Sequence, residues 1–169
     1  MSILLVGLGH PDRGDDAVGS TVLWSLAAEG GVDADGPGDD VRILVLVDPV
    51  DLPLRWAGAE WVVVIDAVLT GAAPGTITVA ELGESDPGEQ IWSRLGLGGS
   101  HAFGLGEAVA LSRALGRMPQ RLTLVGVEAA DVTAGAGLSP AVAEAVPRAV
   151  ARIRDLVSRE RTGAGDVPR

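Results

Sequence analysis

The chain has 169 residues, enough for one domain with its own core and too few for two. Hydrophobic residues make up 47% and aromatics only 3%, so the core has to be built from Val, Leu, Ile and Ala rather than from rings. A net charge of −10 and the absence of cysteine exclude disulfides, thiolate metal sites and a cysteine nucleophile, and disfavour nonspecific contact with nucleic acid or an anionic membrane.

In chain order, Leu4, Leu5 and Val6 form the short apolar run of a strand buried on both faces. Gly7 and Gly9 then let the backbone turn sharply. Asp15 and Asp16 precede Val18, Val22 and Leu26, which recur at helical spacing. The first helix is therefore expected to start near Asp15, with one acid capping it and the other left for chemistry. Residues 29–40 are glycine and acid with almost nothing to bury, an exposed loop. Strand two covers 41–47 and ends at Asp48-Pro49; a short helix over 51–58 carries Leu52, Leu54 and Trp56; strand three covers 61–65 and ends at Asp66. Residues 75–81 alternate and predict a half-exposed strand, followed by a loop rich in Gly, Ser, Asp and Pro that runs to Ser100-His101. Leu105, Ala108, Leu111 and Leu115 share a helical face, and 122–127 is the last strand. Ser139-Pro140 suits the N-cap and first turn of a closing helix that Pro147 is expected to kink or restart. Residues 1–160 are thus expected to form a single domain, with a disordered tail over 161–169.

Strands alternating with helices imply an α/β three-layer sandwich, with a mostly parallel twisted sheet of about five strands flanked by helices. Ligands of such sheets bind outside the carboxyl ends of the strands. Asp16, Asp48, Asp66 and Glu128 each follow a strand, so all four are expected at that rim.

After Gly7-Leu8-Gly9 a dinucleotide site wants a third glycine where Asp12 stands, and two further acids occupy the place of the pyrophosphate. Repulsion there favours a cation or a neutral ligand. The two histidines, His10 and His101, are the imidazoles available. Asp16, Asp66 and His101 together supply two hard oxygens and a nitrogen, a set that suits nickel, zinc, cobalt or another first-row ion. Asp48 and Glu128 are read as acceptors for backbone donors, and His10 as a loop residue. A Gly-x-Ser-x-Gly elbow and a His-Glu-x-x-His helix are both missing, and nothing marks a symmetric aspartate dyad.

The stretch from Gly7 to Gly19 (GLGHPDRGDDAVG), together with Val64-Ile65-Asp66-Ala67-Val68, Ser100-His101, Gly126-Val127-Glu128 and Gly137-Leu138-Ser139-Pro140, resembles the hydrogenase maturation endopeptidases. These trim the C-terminus of the nickel-iron hydrogenase large subunit. The resemblance spans residues 3 to about 157, and the order and spacing of its pieces carry it. It implies a sheet between helices and a metal site of Asp16, Asp66 and His101, with nickel supplied by the substrate, though another divalent ion is compatible. The partner implied is a large-subunit precursor that already holds nickel. Two chemical routes follow from it. A metal polarises the scissile carbonyl or activates water, or Asp16 acts as general base, as in an aspartyl endopeptidase, while nickel serves recognition. Recognition plus positioning is the reading adopted. Position 10, usually asparagine in the family, is His10 here, read as one polar loop side chain in place of another.

Two competing readings remain at this point. Peptidyl-tRNA hydrolase also opens with a Val-Gly-Leu-Gly-like strand and turn, but expects a histidine soon after it and a basic face. A non-catalytic metal-binding chaperone or scaffold would keep the same rim acids. With no apolar run near the ~20 residues of a membrane span and no signal-peptide pattern ahead of strand one, a cytoplasmic monomer without nucleic-acid or membrane contacts is expected.

Overall fold

The computed structural model describes residues 1–30, 41–82 and 104–163. Most of the acid-glycine loop, the segment leading to Ser100-His101, and residues 164–169 of the expected tail lie outside the described residues. Five strands form one sheet in the order β2-β1-β3-β5-β4: β1 Ile3–Leu8, β2 Val41–Leu46, β3 Trp61–Val68, β4 Ile77–Leu82 and β5 Arg121–Glu128. All neighbours are parallel except β4, which runs antiparallel to β5 at the sheet edge. Edge position explains its alternation, since Ile77 and Val79 pack against one core cluster and Ala80 against the other, all only half-buried.

Side chains alternate across each strand, and every inner strand therefore feeds two cores. Ile3 and Leu5 of β1 join Val63 and Ile65 of β3 beneath two helices, α1 (Val18–Ala28) and α4 (Pro140–Gly163). Leu4, Val6 and Leu8 join Val62 and Val64 on the opposite face, beneath α2 (Leu52–Arg55) and α3 (Leu105–Ala114). That is the expected sandwich, with Val18, Val22 and Leu26 as the inward stripe of α1.

Several local expectations are corrected. β3 runs on through Asp66 to Val68, because pairing with β5 continues to Val68 opposite Glu128 after β1 has stopped at Gly7 opposite Ile65. The helix over 51–58 shortens to a 3-10 turn, Pro49–Asp51, followed by α2; Leu52 and Trp56 are buried while Leu54 is 64% exposed. On α3 the buried stripe is Leu105, Ala108, Val109 and Ser112, and Leu111 and Leu115 face solvent. Ser112 turns inward to accept the buried indole N–H of Trp56 at 3.1 Å. Pro147 does not restart the last helix. α4 runs through it because Pro147 and Ala143, whose carbonyl loses its helical donor, both lie on the solvent side. Residues 161–163 belong to that helix rather than to a tail.

Candidate functional site

The strand order reverses direction between β1 and β3: β1 leads outward through α1 to β2, whereas β3 leads to β4 and β5 on the other side. The carboxyl ends of these two strands diverge, leaving the crevice in which open α/β sheets bind ligands. Asp66 sits one residue beyond the last β1–β3 pair, opposite Gly126 of β5. From the β1 side, Gly9 adopts φ 120°, and a Cβ there would overlap the carbonyl oxygen of Asp16. Only glycine lets the loop fold back tightly enough to bring the Gly14–Ala17 turn, and Asp16 with it, to this crevice.

Asp16 and Asp66 line one solvent-open cleft whose other walls include Leu8, Val47, Pro49 and Leu105. Asp16 is 8% exposed, and its Oδ2 accepts the His10 backbone N–H at 2.8 Å. Burial raises the pKa of Asp66, the nearby Asp16 charge raises it further, and a backbone N–H of Ala67 opposes them. The net result is about 7 instead of 3.8. A positive charge between the two carboxylates would relieve that repulsion and displace the proton, so this donor set suits a divalent first-row ion. Among the described residues no group of three or more His, Asp or Glu side chains gathers into a metal site. His101, the third residue expected there, lies outside the described residues, three positions ahead of Gly104, which also lines the cleft.

The other rim acids have structural partners. Asp48 accepts the Val50 N–H at 2.9 Å. Glu128 accepts the backbone N–H groups of Thr70 and Gly71 at 2.9 Å and the Thr70 hydroxyl at 2.7 Å. His10 is half-buried, and its Nδ1 accepts the Asp12 N–H at 3.2 Å. This is the i to i+2 bond that an asparagine makes in an Asx-turn, so histidine here reproduces the bond an asparagine would make.

Sequence reasoning missed the role of Asp15. Its carboxylate is fully buried and caps no helix. It accepts the N–H groups of Ala130 at 2.8 Å, Asp131 at 2.9 Å and Ser139 at 2.7 Å, and the Ser139 hydroxyl at 2.9 Å. Ser139 does stand at the N-cap position ahead of Pro140, its carbonyl accepting the Ala143 N–H at 2.9 Å, and its hydroxyl donates to Asp15. Burial pushes the Asp15 pKa up, but these donors outweigh it and hold the carboxyl below its usual range. No signal local to Asp15 could have found partners more than a hundred positions away in the sequence.

The family model for hydrogenase maturation protease matches residues 49–156, more than half of the chain. Among solved structures, the chain is similar to the hydrogenase maturating endopeptidase HybD from E. coli, at 24% identity and a TM-score of 0.73, over 96% of this chain and 94% of that one. An endopeptidase from Escherichia coli solved in solution gives 25% identity, a TM-score of 0.71 and the same two coverages. The [NiFe] hydrogenase maturation protease HybD from Thermococcus kodakarensis gives 23% identity and a TM-score of 0.65, over 92% of this chain and 99% of that one. No curated protein sequence matches the chain.

Proposed function

Because the chain belongs to the hydrogenase maturation protease family, we propose that it is the endopeptidase that removes the C-terminal extension of a nickel-iron hydrogenase large-subunit precursor after nickel insertion. The observation that carries this reading is the convergence of Asp16 and Asp66 on one apolar-walled cleft at the strand-order reversal. Family membership sets aside peptidyl-tRNA hydrolase.

In this reading nickel is part of the substrate. Asp16 and Asp66, with His101 as the third ligand, offer an incomplete set that the precursor's own nickel ligands complete. Asp66 favours a cation for a physical reason: burial and the Asp16 charge make its ionised form costly, and a divalent ion removes that cost. A precursor without nickel offers no such relief and binds less well. Leu8, Val47, Pro49 and Leu105 receive the peptide around the scissile bond and limit water there. Asp16 takes the proton of the attacking water as general base. The same reading makes the protein a cytoplasmic monomer that works away from membranes; among the described residues no helix is long and apolar enough to cross one.

The test is incubation of the purified protein with the cognate precursor, with and without nickel, followed by intact mass. Loss of a defined C-terminal peptide in the nickel-loaded sample alone is expected. An unchanged mass with nickel insertion verified overturns the protease reading for that partner and favours a non-catalytic metal-binding scaffold.

A further inference from the structure

We infer that Asp15 is the positioning residue for Asp16, acting by fastening the segment between β5 and α4 onto the glycine loop. The inference rests on the proposed function for its catalytic consequence, but its structural part stands alone.

The two segments are joined along their length by backbone bonds. The Gly135 N–H donates to the Asp12 carbonyl at 2.7 Å, the Gly14 N–H to Ala136 at 3.0 Å and the Asp15 N–H to Asp131 at 2.8 Å. The Asp15 carboxylate then gathers Ala130, Asp131 and Ser139 from both ends of the opposing segment. At Gly14, with φ 54°, a Cβ would overlap the Asp131 carbonyl oxygen, so the close approach is built into the backbone. Asp15 and Asp16 share the single 3-10 turn Gly14–Ala17, in which the Asp16 N–H donates back to the Arg13 carbonyl at 3.1 Å. One peptide unit separates the two side chains. A turn held from the Asp15 side cannot rotate, and this fixes the direction in which Asp16 leaves it toward the cleft and the His10 N–H.

The experiment uses the full chain and two variants, Asp15→Asn and Ser139→Ala. An amide at position 15 sets an NH2 group against at least one backbone N–H, whereas Ser139→Ala removes one hydroxyl donor and keeps the backbone bond. The first readout is the His10 amide in a nitrogen–proton NMR spectrum, because this proton bonds to the Asp16 carboxylate and His10's other hydrogen bonds are to Asp12 and Arg13. The second is steady-state cleavage of nickel-loaded precursor.

Asp15→Asn is expected to move the His10 amide upfield, speed its hydrogen exchange, lower kcat about 100-fold and raise KM, since the misplaced Asp16 is both the base and a ligand for the substrate's nickel. Ser139→Ala is expected to move the same amide less and lower kcat about fivefold. A folded Asp15→Asn protein with an unmoved His10 amide overturns the inference, and so does a moved amide with unchanged kcat. Should Asp15→Asn fail to fold, Ser139→Ala decides by the same two readouts. If the parent protein cleaves no precursor, the proposed function fails, and the His10 amide still decides whether Asp15 positions Asp16.

Discussion

Asp15 and Asp16 are neighbours in one turn, yet their carboxylates sit in opposite environments. Asp15 is buried among four donors that hold its pKa down. Asp16 faces a cleft with Asp66, where burial and like charge lift the Asp66 pKa to about 7 against a single opposing N–H from Ala67. The first carboxylate is saturated by the fold and holds two segments together. The second belongs to a pair whose repulsion a cation can relieve, which is what a binding site needs before its ligand arrives.

The comparison breaks most sharply at Asp16. Asp16→Asn is expected to reduce cleavage of nickel-loaded precursor by about 10²–10⁴-fold, the usual contribution of a general base, while the thermal midpoint holds or rises because repulsion with Asp66 is removed. A time course of precursor mass together with a melting curve checks both. Asp15→Ala inverts the pattern. It leaves three backbone N–H groups without their acceptor and is expected to lower the unfolding free energy by about 3 kcal/mol or more, read from urea unfolding.

The pH dependence of stability separates the two sites by sign. Asp66 binds its proton more tightly folded, near 7, than unfolded, near 3.8, so its ionisation counts against the fold as pH rises between those values. The gain in melting temperature of Asp66→Asn over the parent is therefore expected to be small at pH 4, to grow up to about pH 7 and to level off above it. Asp15, with its pKa lowered, contributes stability above 3.8 that is lost as the pH falls through its folded value. Asp15→Asn should accordingly flatten the acid limb of the stability profile, while Asp66→Asn flattens the limb toward neutrality. The smallest effect is expected at His10. Asparagine can accept the same Asp12 N–H, so His10→Asn should leave nickel affinity unchanged in a calorimetric titration; a clear loss would make His10 a ligand.

Periodicity and turn chemistry, both local properties, were enough to read most of the architecture. The five strands, the inward stripe of α1 and the alternating edge strand β4 follow from where apolar residues recur, because a strand buried on both faces and a helix with one buried stripe leave different spacings. Asp16 and Asp66 were legible as rim acids for a related reason, since each stands just past or near the end of an apolar run. Where the reading slipped, a long-range partner decided. β3 lengthened because β5 was there to pair with it, Ser112 turned inward because Trp56 needed an acceptor, and α4 continued through Pro147 because that side of the helix meets water.

The sequence by itself therefore determined the elements and their alternation, which depend on residues within a few positions of each other. Only the tertiary structure decided what Asp15 is for, a carboxylate bound into the scaffold, and how strongly burial and the Asp16 charge act on Asp66. Hydrogen-bond donors and like charges act through distance in space, and those acting on Asp15 and Asp66 come from segments the chain brings together only when the sheet has closed.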